Sequence, residues 1–346
     1  MVSLLFASTF LTSSEPGLPV FKVNPVVSTA SVPSDADDPA IWIHPSAPGK
    51  SLVLGTDKIE KTGGLYVFDL KGKIVQKFTG MDRPNNVDVE QGFLLDGKLV
   101  DLAVVTERKQ KRLRIFSIDR ETGRLSDVSG ETRVFAQSTG SEAEPMGISL
   151  YRRASDRAIF AVVAPKTGPN QGYLGQYLLI ANGGKVDLQF VRRFGEFSGL
   201  NAGGEGEIEA LAIDDARGVI AYSDELFAVR SATVDPFASD SAHFNFGLSG
   251  YLGDREGLAF VSNGFFLSTD QVENGSRVYV YPRTLSAGVK PLRRMDTPSD
   301  STDGLDATAT PLGSKFPRGM VVMMDSKNRR FQMYRLEQFL PSQSRP

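Results

Sequence analysis

From Asp38 onward, short apolar or alternating runs recur along the chain, separated by Gly, Asp, Asn and Pro. Leu52-Val53-Leu54, Gly64-Leu65-Tyr66-Val67-Phe68-Asp69-Leu70 and Lys73-Ile74-Val75-Gln76-Lys77-Phe78 come first, with Lys71-Gly72 a hairpin-turn candidate between the last two. The same pattern returns in Leu102-Ala103-Val104-Val105, Leu113 to Ile118, Ala158 to Val163, Leu211 to Asp214, Leu258 to Val261 and Arg277 to Tyr281. Runs of this length between turn residues read as strands, and no window sustains an apolar stripe at helical spacing for three turns. The pattern therefore predicts an all-β chain.

A weak internal repeat narrows the architecture. The segments GGLYVFDL, RLRIFSID, YLGQYLLI, SRVYVYPR and RRFQMYRL resemble one another, with one long gap wide enough to hide a degenerate copy. The implied module of about fifty residues matches a four-stranded propeller blade, and ~300 residues make six blades around a central channel. A sandwich has no reason to repeat on that period. The first strand is expected to close the ring against the last blade, leaving no free edge.

Length changes little in this picture, since 346 residues suit either two domains or one large all-β domain. The division expected is residues 1–27 as an export-signal-like segment and tether, and 28–340 as a single propeller. The signal-like part, MVSLLFASTFLTSS, has an apolar stretch ending in small residues but no basic start. It points to a secreted or periplasmic protein. No later run approaches the ~20 apolar residues of a membrane span.

Charge and composition remove several classes of function. With 39 basic and 41 acidic residues there is no general electrostatic attraction to nucleic acid or to an anionic membrane surface, and a monomer acting on a small molecule is expected. The absence of cysteine excludes thiol nucleophiles and thiolate metal sites. His44 and His243 are the only imidazoles, too few for a histidine-rich zinc site. Carboxylates, Lys and Arg remain to carry the chemistry.

The carboxylates gather at turns: Asp35, Asp37 and Asp38; Asp88 after Asn85-Asn86-Val87; Glu205-Gly206-Glu207-Ile208-Glu209; Asp224-Glu225; Asp254-Arg255-Glu256; Asp270-Gln271; and Asp300 to Asp306. A solvated turn accounts for any one of these but poorly for all of them. Loops at one end of a propeller converge on its channel, and carboxylate, amide and carbonyl oxygens are what Ca²⁺ selects. No loop has EF-hand spacing, so each ion would be assembled from distant segments. Lys58, Arg108 and Lys166 each lie just past an apolar strand, at equivalent places, which suits a phosphate cradle.

Taken together and in order, DADDPAIWIHP, GLYVFDLKGK, RPNNVDV, Glu107-Arg108, GISLY, EIEALAIDD, DREGLAF, STDQ and STDGLD resemble the β-propeller phytases from about Ser34 to about Leu336. That resemblance implies a calcium-dependent 3-phytase, releasing phosphate from myo-inositol hexakisphosphate by attack of a metal-activated water, with no covalent phosphoenzyme. It implies that Asp38, the carbonyls of Pro39 and Val87, Asn86 and the Asp303 to Asp306 segment hold calcium bracing the propeller, with Asp37 beside them. It further implies catalytic calcium ligands at Glu209, Glu225, Asp254, Glu256 and Gln271, and phosphate-gripping side chains at Lys58, Arg108 and Lys166. The substrate would arrive as its calcium salt, with a neighbouring phosphate pocket orienting it.

Departures from the family pattern are local. Met146 stands where some members have a tyrosine facing the metal, and Lys58 is followed by Ile59 rather than a second lysine, with Lys61 the candidate substitute. The Asp325 to Arg330 loop is short, and the stretch from Leu226 to Ser241 diverges. Two rival readings stand beside the phytase: a propeller hydrolase of another class, such as a lactonase using one calcium, and a propeller serving as a non-catalytic binding platform.

Overall fold

The computed structural model describes residues 17–200, 206–238 and 243–341. The signal-like stretch therefore lies outside the described residues. The fold is a six-bladed β-propeller, in which six antiparallel sheets stand around a channel with the first strand of each innermost.

Blade 1 comprises Ala36–Trp42, Leu52–Asp57, Gly63–Asp69 and Ile74–Met81. Blade 2 comprises Pro84–Leu95, Lys98–Glu107, Arg112–Ile118 and Leu125–Asp127. Blade 3 runs through Pro145–Arg152, Ile159–Pro165, Gln171–Asn182 and Lys185–Glu196. Blade 4 contains Leu211–Asp214, Val219–Asp224, Ala228–Thr233 and Phe244–Phe246. Blade 5 contains Arg255–Val261, Phe265–Asp270, Arg277–Pro282 and Arg293–Asp296. Blade 6 has Leu305–Thr308, Met320–Asp325 and Arg330–Arg335 as its inner three strands.

The repeated segments are the third strands of blades 1, 2, 3, 5 and 6, and the copy hidden in the long gap is Ala228–Thr233 of blade 4. The expected turn at Lys71-Gly72 is present: Gly72 takes φ 82° and its N–H donates to the Asp69 carbonyl.

Ring closure is also observed. Val27–Ser28 pairs antiparallel with Met333 and Gln332, supplying the fourth strand of blade 6 from the other end of the chain. The segment expected as a tether is a correction here. Val20–Lys22 adds a parallel fifth strand to blade 5, pairing with Arg294–Asp296, so residues 20–28 belong to the propeller. The extended stretch before blade 1 covers two sheet edges that would otherwise face water.

Each blade buries both faces, which explains the near-continuous apolar runs. Along Ile159–Pro165, Ile159, Ala161 and Val163 pack toward blade 2, while Phe160, Val162 and Ala164 pack toward blade 4. Six such apolar clusters fill the six gaps between neighbouring blades. Among the described residues, no helix is long and apolar enough to cross a membrane.

Candidate functional site

The site occupies the channel mouth where each first strand begins and each second strand ends. Lys58, Arg108 and Lys166 follow the second strands of blades 1, 2 and 3, as their shared sequence position suggested. Glu225 and Gln271 hold the same place in blades 4 and 5. One loop position thus supplies cations on one side of the ring and side-chain oxygens on the other.

The facing residues come from the starts of the first strands. In blades 1, 2, 3 and 5 the register between first and second strands shifts at Ala36/Pro39, Pro84/Val87, Pro145/Ile148 and Arg255/Leu258. A bulge inserts an extra residue and re-aims side chains. Here the bulges carry Asp37-Asp38, Asn85-Asn86, Met146-Gly147 and Glu256-Gly257. Gly147 sits at one of the tightest points, where a Cβ would overlap the Glu209 carbonyl of blade 4.

Two carboxylate groups meet in this mouth. Ligand oxygens of Glu207, Glu209 and Glu225 lie within 4.8 Å of one another, as do those of Glu225, Asp254 and Glu256, so Glu225 is common to both. Burial raises the Glu225 and Glu256 carboxyls well above the usual range, and neighbouring carboxylates add to the effect. Burial likewise raises Glu207 to about 7 and moves Glu209 upward, against the opposing pull of lysines. The Asn85 amide donates to Glu209 Oε1 at 3.3 Å.

The cations are anchored among these acids. Lys58 Nζ contacts Asp37 and lies 3.4 Å from Asp303 Oδ2. Burial pulls its ammonium pKa down, but Asp37, Glu209 and Asp303 outweigh this and hold it charged. Arg108 Nε donates to Glu144 Oε2 at 2.9 Å, and Lys166 Nζ contacts Glu207. Lys61 is exposed, with its backbone N–H donating to Asp82 Oδ1 at 2.9 Å.

Deeper in the channel a second oxygen-rich group lines a cavity of about 150 Å³: Asp38, Pro39, Asn86, Val87, Asp88 and Asp306. The residues of the bracing set that the resemblance implies fall in two places. Asp38 and Asp306 lie in this cavity, whereas Asp37 and Asp303 join Lys58 and Gln271 at the mouth.

Among the described residues, the acidic and amide side chains of both places offer a cation oxygen. Glu207 Oε2, Glu225 Oε1, Glu256 Oε2 and Asn86 Oδ1 are buried without hydrogen-bond partners. Buried oxygens of this kind are costly unless neutralised, and the donor set fits hard cations. Neither histidine takes part. His44 is buried beside Trp42, with Nε2 3.0 Å from the Glu121 carbonyl, and His243 is exposed at the edge of blade 4.

Glu207 lies in an acid cluster singled out in the sequence but not among the ligands that the resemblance implies. Its signal was available: two residues before Glu209 in an extended segment, it projects to the same side. Met146, in place of a possible tyrosine ligand, is buried at the mouth, where its carbonyl accepts from Thr106 Oγ1 at 2.7 Å.

Comparison with known proteins agrees with this geometry. The phytase family profile matches residues 3–333. The 3-phytase of Bacillus subtilis (strain 168) is 30% identical over 328 residues, covering 89% of this chain and 80% of that protein. An X-ray structure carrying a provisional gluconolactonase name superposes with a TM-score of 0.51 at 15% identity, covering 90% of this chain and 94% of its own; it supports the propeller fold alone.

Proposed function

The chain belongs to the phytase family and is a phytase enzyme, and from that premise we propose that it hydrolyses phytate in a calcium-dependent reaction at the channel mouth. One observation carries the reading: two buried carboxylate groups sharing Glu225 face Lys58, Arg108 and Lys166 across a single opening. Acids alone would repel a polyphosphate, and cations alone would bind it without chemistry.

Glu207, Glu209, Glu225, Asp254, Glu256 and Gln271 are the residues that would hold the catalytic calcium, with Asp303 adjoining them. Asp38, Asn86, Asp306 and the carbonyls of Pro39 and Val87 would hold the bracing calcium. Bound calcium supplies neutralisation of the carboxylates, polarisation of the phosphoryl group and activation of water for direct displacement.

The chain's own part is binding and orientation. Lys58, Arg108 and Lys166 grip the phosphoryl oxygens and stabilise the charge spread over them during displacement. Arg108 presents a planar fork suited to two oxygens, whereas the two lysines act as point charges. Asn85 steadies Glu209 through its amide. With both histidines away from the mouth and no cysteine in the chain, a covalent phosphoenzyme on either residue type is not required.

A lactonase has no need of three cations around one opening, nor a binding platform of six carboxyl or amide ligands. The reading takes the protein as exported and monomeric, as expected from the sequence, and as acting on a small polyanion rather than on nucleic acid or membrane. The test is phosphate release from phytate by wild type and by Glu256→Gln, both shown to be folded. Loss in the variant supports the reading, and equal rates would remove it.

A further inference from the structure

Arg255 is a buried cation, 6% exposed, that opens the first strand of blade 5 between Asp254 and Glu256. Its side chain enters the seam with blade 4, where Nε donates to the Gly247 carbonyl at 2.8 Å and Nη1 to the Glu225 carbonyl at 2.8 Å. The guanidinium lies over the Tyr251 ring, with Cζ 4.6 Å from the centroid, and the Tyr251 hydroxyl donates back into blade 5 to Ser268 Oγ at 2.9 Å. These partners are carbonyls and a ring, and among the described residues Arg255 forms no ion pair. A guanidinium without a carboxylate is a poor way to fill a seam, since an apolar side chain of similar length would pack there without desolvating a charge. What arginine adds is a planar fork that reaches two carbonyls on separate loops at once.

One of those loops carries Glu225, the carboxylate common to both acid groups. Blade 4 fixes Glu225 from one side: its N–H donates to the Glu207 carbonyl at 3.2 Å, and its Oε2 accepts from the Glu207 N–H at 3.0 Å. Its carbonyl is held from blade 5, weakly by the Arg255 backbone N–H at 3.4 Å and closely by the guanidinium. Glu207, Glu209 and Glu225 all belong to segments of blade 4, whereas Glu225, Asp254 and Glu256 meet across the seam. The second group therefore depends on the spacing of two blades, and Arg255 bonds across that spacing.

We infer that Arg255 is a positioning residue, holding the Glu225 carbonyl to the strand of Glu256 so that the carboxyls of Glu225, Asp254 and Glu256 stay close enough to hold one calcium between two blades. This rests on the reading that the channel mouth binds calcium, and names what spaces the ligands there. Arg255 acts through Glu225 and not by touching substrate.

The experiment titrates calcium by calorimetry into chelator-stripped wild type, Arg255→Met and Arg255→Lys, with melting temperatures in chelator and phosphate release from phytate over a range of calcium concentrations. Methionine keeps apolar length and removes the fork; lysine keeps the charge but reaches one carbonyl at most. The expected result is that one class of calcium sites weakens by about tenfold in Arg255→Met, as when a metal site loses a supporting interaction, and by less in Arg255→Lys. The other sites keep their affinity, and the melting temperature in chelator stays close to wild type. Calcium for half-maximal release rises by the same factor as the weakened site, while the rate at saturating calcium stays within about threefold of wild type. Calcium affinities within about twofold of wild type in both variants overturn the inference. So does an equal weakening of every site, or a rate lost by the same factor at all calcium concentrations, since either marks a residue that merely holds the fold. Should Arg255→Met not fold, Arg255→Lys decides by the same criteria. If wild type takes up no calcium, the calcium reading falls and takes this inference with it; if wild type binds calcium and both variants match it, only this inference falls.

Discussion

The backbone N–H of Val87 donates to Asp38 Oδ2 at 2.9 Å, so a carboxylate of the first blade is aimed by the second. The same stitch recurs around the channel, where Ile41 N–H donates to Asp306 Oδ2 at 2.8 Å and Leu150 N–H to Asp88 Oδ2 at 2.7 Å. Each joins neighbouring blades and fixes a carboxylate on the channel wall. A cation there would tie the first, second and last blades together.

Asp38→Asn tests that role. An amide can still accept from Val87 but supplies no charge to a cation. The expected outcome is a melting temperature in chelator close to wild type, with a clearly smaller rise on adding calcium. A full calcium-induced rise in the variant would exclude Asp38 as a ligand.

Gly304 is packed against the same residue. A Cβ there would lie 2.6 Å from the Asp38 Cα and would also overlap Asp38 Oδ1. Gly304→Ala is therefore expected to cost about 1–3 kcal/mol, as overpacking does, and to lower the melting temperature with or without calcium. Thermal unfolding checks it; an unaltered melting temperature would mean that blade 6 shifts freely at this contact.

The buried acids predict an unusual pH dependence. Burial raises Asp306 to about 7 from an ordinary 3.8, and Glu207 to about 7 from 4.5. Between those limits the folded chain holds more protons than the unfolded one, so without calcium its stability falls as pH rises from about 4 to 7. Calcium binds the deprotonated carboxylates, so its stabilising effect grows over the same range. Melting temperatures at pH 5 and pH 8, in chelator and in calcium, test both signs. A calcium effect larger at pH 5 would contradict the assignment.

Glu207→Gln examines the acid that the resemblance left out of the ligand set. Glu207 belongs to a carboxylate group with Glu209 and Glu225 and also contacts Lys166. The substitution is expected to raise the calcium needed for half-maximal activity by about tenfold, on the order of the loss seen when a metal site loses a supporting interaction. Activity that falls at all calcium concentrations by the same factor would instead place Glu207 in positioning Lys166 alone.

Much of this was legible in the sequence because the propeller repeats one simple rule. Apolar residues on both faces of short strands, such as Ile159 to Ala164, report burial between blades directly. The strand-end positions of Lys58, Arg108 and Lys166 reported a shared loop. The bulges were not legible, since a register shift at Asp37-Asp38 depends on the partner strand and leaves no local periodicity. For that reason the separation of Asp37 from Asp38, one toward Lys58 and one toward the channel, emerged only in three dimensions. Residues 20–27 read as a tether because two- and three-residue edge strands carry too little pattern to identify.

Calcium-dependent phytate hydrolysis is the central claim, and the direct measurement is phosphate release from phytate by purified wild type and Glu209→Gln, in calcium, in excess chelator, and after calcium is restored. The expected result is release by wild type in calcium, abolition by chelator, recovery on restoring calcium, and a loss of at least about a hundredfold in Glu209→Gln. Undiminished release in excess chelator, or a fully active Glu209→Gln, would contradict it.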